Sequence, residues 1–162
     1  VLVRAKEVIH AERLTVFEAL LRRRIQREPL AYLLGRKEFY GREFLVSPAV
    51  LIPRPETELL VQEALTVARA GGERTIVIDI GVGSGAILLS IVSELEGTPG
   101  EREYLGTDIS EEAISVARVN ASALECRLQV TLVQADLLPD TLSLAPYPRI
   151  LIVSNPPYVA EG

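Results

Sequence analysis

Asn155-Pro156-Pro157-Tyr158 follows directly on an apolar run, Ile150-Leu151-Ile152-Val153-Ser154. A proline fixes its own φ and pushes the residue before it into the extended region, so two in succession make a stiff segment. The Asn155 side chain and the carbonyls beside it are therefore aimed before any substrate arrives. A carboxamide oxygen and the Pro156 carbonyl offer two acceptors to the two hydrogens of an amino group. Tyr158 adds a flat face for a planar one. The chemistry that suits this clamp is methyl transfer to an amide or exocyclic nitrogen. The plain alternative is a rigid turn after a strand.

Methyl transfer needs a donor site, and three other stretches have the right residue types. Asp79-Ile80-Gly81-Val82-Gly83-Ser84-Gly85 falls where a strand should meet a helix. Glycines there permit a tight turn and close approach of main chain to a ligand. The spacing is G-x-G-x-G rather than the G-x-G-x-x-G of dinucleotide sites, which favours a ligand without a pyrophosphate. Asp108, at the end of Gly106-Thr107-Asp108, could accept from both hydroxyls of a ribose; capping the next turn is the simpler role. Asp136 could accept from an adenine amino group with Leu137 packed on the ring, although an acid after a strand is also common turn chemistry. The force lies in the set: four successive strands each end in a plausible ligand group, at the edge where open α/β sheets bind ligands.

The elements that must position these groups follow from periodicity and punctuation. Thr15 and Glu18 have capping-box spacing and predict a helix through Phe17, Leu20, Leu21 and Ile25, stopped near Pro29. Leu30–Leu34 adds a short turn closed by Gly35. Residues 37–52 hold two aromatic-rich runs around Gly41-Arg42 and read as a β-hairpin. A helix is expected over Glu56–Arg69, closed by Gly71-Gly72. Strands then alternate with helices: Thr75–Ile80, helix Ala86–Leu95, Glu103–Thr107, helix Glu111–Leu124 capped by Ser110, Leu128–Gln134 and Ile150–Ser154. The three-proline link 137–149 has room for a short helix only. This order predicts a parallel, Rossmann-like sheet with helices on both faces.

Composition narrows the classes. The chain has 162 residues, 48% of them hydrophobic, enough for a real core. No apolar run approaches the roughly 20 residues of a membrane span, and no signal-peptide pattern opens the chain. One cysteine, Cys126, and no export signal suit a reducing cytoplasm. Cys126 reads as a structural thiol, since the lone His10 is far away in sequence. With 22 acidic against 17 basic residues the chain is not built to grip phosphate backbones. The exception, Arg22-Arg23-Arg24 with Arg27, reads as a solvated helix face or, less simply, a patch for an acidic or nucleic-acid partner. There is no Met, even at position 1, which suggests a cloning or processing boundary.

Asp79–Gly85, Asp108, Asp136 and Asn155–Tyr158 together resemble a class I S-adenosylmethionine-dependent methyltransferase. Asn-Pro-Pro-Tyr is shared most prominently by adenine-N6 DNA methyltransferases and HemK-type protein-glutamine methyltransferases. Three further stretches resemble the second: Arg27-Glu28-Pro29-Leu30-Ala31-Tyr32, Phe39-Tyr40-Gly41 with Phe44-Leu45-Val46, and above all Leu51-Ile52-Pro53-Arg54-Pro55-Glu56-Thr57-Glu58. The resemblance covers about residues 25–162. It implies S-adenosyl-L-methionine as cofactor, held by Asp79, Gly81, Val82, Gly83, Ser84, Gly85, Asp108, Asp136, Leu137 and Asn155. It implies, as substrate, the glutamine of the Gly-Gly-Gln motif in class I peptide-chain release factors, gripped by Asn155, Pro156, Pro157 and Tyr158. Val82 departs from the small hydroxyl residue usual in the family, and Leu137 from an aromatic common in some members.

The domains expected on this basis are a partial helical substrate-binding domain (1–35), a hairpin linker (36–52) and an incomplete methyltransferase domain (53–162). Two other readings stand beside it. One is a nucleic-acid adenine methyltransferase, which would want a basic groove. The other is a cofactor-binding fragment without turnover, whose strand 150–154 leaves an apolar edge open to pairing with a second copy.

Overall fold

A computed structural model of the chain describes residues 10–70, 73–126 and 130–156. Pro157, Tyr158 and the Gly71-Gly72 helix stop lie outside the described residues.

The first helix, α1 (Ala11–Ile25), buries no residue. It starts earlier than the capping-box spacing predicts. Thr15 lies inside it, and its hydroxyl donates back to the Ala11 carbonyl instead of capping an N-terminus; a Ser or Thr hydroxyl can make this bond within a helix as readily as a cap outside one. The short α2 (Leu30–Leu34) ends at Gly35 with φ 68°, the left-handed stop that glycine permits. It joins the body of the protein through a small cluster in which Ala31 and Tyr32 pack with Val46, Val50 and Ala113. The Tyr32 hydroxyl donates to the Val50 carbonyl at 2.7 Å.

The hairpin is shorter than expected: β1 (Arg36–Phe39) pairs antiparallel with β2 (Arg42–Leu45), and 46–52 is not strand. Tyr40 and Gly41 both have positive φ, 50° and 70°, which is the mirror-image turn that matches strand twist in a two-residue loop. Phe39 and Phe44 are 1% and 0% exposed, and both belong to the main core. The hairpin is thus plugged into the body by its aromatic rings.

After a 3-10 turn (Pro55–Thr57) the chain runs through α3 (Glu58–Arg69), β3 (Thr75–Ile80), α4 (Ala86–Leu95), β4 (Arg102–Asp108), α5 (Glu111–Ala123), β5 (Val130–Gln134) and β6 (Arg149–Ser154). The strands form a parallel sheet in the order β5-β4-β3-β6. Successive side chains along a strand face opposite ways, and both faces are apolar. Val77, Tyr104, Leu132 and Val153 lie with α3, α4 and α5. Ile76, Ile78, Leu105 and Val133 lie with Leu138, Leu142, Leu144 and Tyr147.

The expectation of helices on both faces is therefore corrected. Among the described residues all three packed helices share one face, and the irregular segment 137–147 covers the other. Its prolines remove backbone donors and restrict the residues before them, so no helix forms there. Also among the described residues, no helix is long and apolar enough to cross a membrane.

Register brings the functional stretches to one edge. Ile80 pairs with Thr107 and with Ser154, and Asp108 pairs with Gln134. The chain turns one way from β3 to β4 and β5, then crosses back to place β6 on the other side of β3. Such a reversal opens a crevice at the carboxyl ends of the strands, here between the loop after β3 and the residues after β6.

Candidate functional site

The loop 81–85 hangs from the end of β4. Gly81 and Val82 amides both donate to the Thr107 carbonyl, at 2.9 and 2.8 Å. The Gly83 amide donates to Asp108 Oδ2 at 2.9 Å. Gly85 closes the loop with φ 83° at the N-terminus of α4. A Cβ on it would lie 2.8 Å from Leu89 Cδ1. Only glycine meets the backbone angle and the spacing together.

Asp108 does more than cap a turn. One carboxylate oxygen takes Gly83 and the other takes the Ser110 amide at 3.0 Å. Ser110 in turn caps α5, accepting from the Ala113 amide. One acid therefore joins the glycine loop to the next helix, and each of its oxygens still has a lone pair to offer. The neighbouring Thr107 hydroxyl, fully buried, donates to the Leu137 carbonyl at 2.6 Å. That bond holds the turn after β5, where Leu137 has φ 62° and is 64% exposed. Asp136 is exposed beside it.

Asp79 is 0% exposed, and neither carboxylate oxygen makes a hydrogen bond of good geometry. Burial raises its pKa to about 7; the Leu88 amide offsets part of the rise, and the negative charge of Asp108 adds to it. Val82 is 5% exposed and crowds Gly106, where a Cβ would stand 2.9 Å from Val82 Cγ2 and 2.7 Å from Leu132 Cδ2. Its side chain is committed to the core, so its departure from a hydroxyl residue is accommodated by packing. Ser84 is buried too.

Across the crevice, Asn155 is half-buried and Pro156 exposed. Asn155 Nδ2 donates to Thr57 Oγ1 at 3.3 Å, across 98 positions of sequence. This turns the carboxamide nitrogen towards Thr57 and its oxygen away from it. Asn155, Gly81, Val82, Gly83 and Ser84 line a small cavity of about 60 Å³ together with Phe39, Leu51, Pro53 and Thr57. A wider cavity of about 520 Å³ shares Leu51, Thr57 and Asn155 with it and is lined further by Arg54, Glu56, Ser154 and Pro156. The structure thus brings Asn155 to the glycine loop. Asp108, Asp136 and Leu137 stand at the ends of β4 and β5, further along the same sheet edge.

Several residues of this site are not among those expected from sequence. Phe39 forms a wall of the small cavity. Glu58 accepts the Tyr40 amide at 3.0 Å and so seats the hairpin turn. Thr57 orients Asn155. Both Thr57 and Glu58 lie in the stretch 51–58, whose sequence alone assigns no role to either residue. Asn120 is 1% exposed and bonds to Leu45 and Ser84. Its signal was available: a polar residue in the apolar stripe Ala113, Ile114, Ala117, Ala121.

Comparison with known proteins places the chain in a family. A family model for a methyltransferase domain matches residues 77–157, and one for a PrmC N-terminal domain matches residues 1–35. A release factor glutamine methyltransferase of Koribacter versatilis is 42% identical over 146 residues, covering 90% of this chain and 49% of that protein. Its counterpart in Chlorobaculum tepidum is 39% identical over 154 residues, covering 92% and 51%. That of Escherichia coli is 40% identical over 144 residues, covering 89% and 48%. The chain spans about half the length of these relatives.

Proposed function

This chain belongs to the methyltransferase-domain family, and on that premise we propose that it serves to methylate the side-chain amide of the glutamine in the Gly-Gly-Gln motif of class I peptide-chain release factors, with S-adenosyl-L-methionine as donor. The observation that carries the reading is the crevice in which a glycine loop faces an oriented Asn155 carboxamide. The names of relatives about 40% identical support the choice of substrate.

The residues present fit the donor. The glycine loop lets main chain approach closely, and Asp79 is a buried carboxylate whose oxygens lack hydrogen bonds of good geometry. Asp79 would favour the cationic donor, Asp108 would take ribose hydroxyls, and Asp136 with Leu137 would meet the adenine. When bound, the donor supplies an activated methyl group on a good leaving group.

The protein's own task is the nucleophile. An amide nitrogen is a poor one, because its lone pair is delocalised into the carbonyl. Asn155 Oδ1 and the Pro156 carbonyl would accept the two amide hydrogens and so fix the direction of the nitrogen. Thr57 holds the Asn155 carboxamide in the sense that offers its oxygen. Phe39 and Pro53 form part of the wall of this cavity. Orientation of this kind can supply roughly 7–11 kcal/mol. Asn155 acts as an acceptor, not as a base; the proton leaves after transfer. Tyr158 is assigned to the planar face of the amide from sequence alone.

The test is direct. A version of the protein extended to the length of its relatives is incubated with labelled S-adenosylmethionine and a release factor. One methyl on the Gly-Gly-Gln glutamine, located by mass spectrometry, is expected; label appearing only in nucleic acid would overturn the reading. Self-association belongs to the same proposal. Among the described residues β6 pairs with β3 alone, and Ile150 and Ile152 are 43% and 51% exposed. The 162-residue chain is expected to elute as a dimer or larger in light scattering, whereas a monodisperse monomer would contradict that part.

A further inference from the structure

Asn120 lies on α5, outside the cavity lined by the loop and the clamp. A buried carboxamide is costly unless its hydrogen bonds are met, and here three are. Oδ1 accepts the Leu45 amide at 2.8 Å, and Nδ2 donates to the Leu45 carbonyl at 3.0 Å and to the Ser84 carbonyl at 2.8 Å. The first two reproduce the paired exchange by which antiparallel strands bond, so β2 gains a rung made by a side chain. The third ends on the glycine loop. One residue therefore joins two parts that both line the cavity: the hairpin carrying Phe39, and residues 81–84. No close substitute does this. Asp lacks both donors, Leu lacks every polar atom, and Gln is a methylene too long.

The two parts do not depend on this joint equally. The glycine loop has other anchors in the Thr107 carbonyl and Asp108. The hairpin's other polar side-chain anchors sit near its turn, where Glu58 takes the Tyr40 amide and Arg42 pairs with Glu94 at 2.8 Å, while Phe44 packs into the main core beside Leu45. Its far end, at Leu45, is tied to α5 by Asn120. We propose that Asn120 is a positioning residue for the methyl acceptor: with Glu58 and Arg42 holding the turn end beside Phe39, it fixes the opposite end at Leu45, and so sets the tilt of the hairpin, and the place of Phe39 in the cavity wall, against the glycine loop. This rests on the glutamine methyltransferase reading above.

The experiment uses Asn120→Ala in the protein extended to the length of its relatives, with three readings. Exchange of the Leu45 amide should quicken about tenfold or more, since its bonds are removed and that end can open locally. The turnover rate on a release factor should fall about tenfold to a hundredfold through misplacement of the wall. S-adenosylmethionine affinity by calorimetry should change less than about threefold, because the loop keeps bonds each worth about 1 kcal/mol. Asn120→Ser, able to keep one of the three bonds, should fall between, and it carries the test if the Ala variant does not fold. Unchanged Leu45 exchange overturns the joint. Turnover and cofactor affinity falling in step overturn the acceptor role. A lower Tm with turnover intact makes Asn120 merely structural. A wild-type protein that methylates no release factor overturns the functional reading, while Leu45 exchange still decides whether Asn120 seats the hairpin.

Discussion

The two walls of the crevice are built differently. The donor wall is local: its tie from Gly83 to Asp108 spans 25 positions and that from Thr107 to Leu137 spans 30. It is a run of strand, loop and helix repeated along one sheet edge. The acceptor wall is assembled from distant pieces, with Leu45 tied to Asn120 across 75 positions and Asn155 to Thr57 across 98. The donor wall is thus preformed by the same bonds that make the fold. The acceptor wall is a set of separate joints, each adjustable without dismantling the sheet. Changes on the first wall should therefore appear in stability and cofactor affinity together, and changes on the second in turnover.

Asp79 gives the largest expected effect. Its raised pKa means the folded state resists ionisation that the unfolded chain accepts. The penalty is absent below about pH 4, grows between about pH 4 and 7, and is constant above, reaching at most about 4 kcal/mol. Asp79→Asn should therefore raise the Tm of the cofactor-free protein at pH 8, with the gain shrinking towards pH 4, and it should weaken binding of the cationic donor. Thermal melts at two pH values and calorimetry check it; a lower Tm at pH 8 would contradict it.

Next comes Gly85→Ala, with a backbone angle costly to any other residue and a Cβ 2.8 Å from Leu89 Cδ1. It should cost about 2–3 kcal/mol by denaturant titration and weaken the donor site as well. On the acceptor wall, Thr57→Val keeps shape and removes the bond to Asn155. Turnover should fall about tenfold, as for the loss of one orienting hydrogen bond, with Tm nearly unchanged and Thr57→Ser restoring most of the rate. The smallest effect is Ser110→Ala, about 1 kcal/mol of stability from a lost helix cap. If it cut turnover as deeply as Thr57→Val, the separation of the walls would fail.

The same contrast explains what could be read from sequence. Strand Thr75–Ile80 and helix Ala86–Leu95 have the predicted bounds, because apolar runs bracketed by Gly-rich turns encode them locally. The left-handed turn at Gly81, Gly83 and Gly85 and the acid at the strand end, Asp108, are encoded locally in the same way. The roles of Thr57, Glu58 and Asn120 are not, since each bonds to a partner that only the folded chain brings near. Thr15 sits inside α1 because one hydroxyl can serve inside a helix as well as before one. The prolines of 137–149 leave room for a short helix in the sequence; that the link is instead irregular and covers one face of the sheet follows from how Leu138, Leu142, Leu144 and Tyr147 pack, which no local pattern encodes.

The central claim is that donor binding and acceptor placement reside on opposite walls, so that Asn155, which the resemblance also places among the donor's contacts, acts mainly on the acceptor. Asn155→Ala, in the protein extended to the length of its relatives, tests it most directly. Calorimetry should show S-adenosylmethionine bound within about threefold of wild type, while methyl transfer to the release factor falls about a hundredfold or more. Equal loss of binding and transfer would contradict the account.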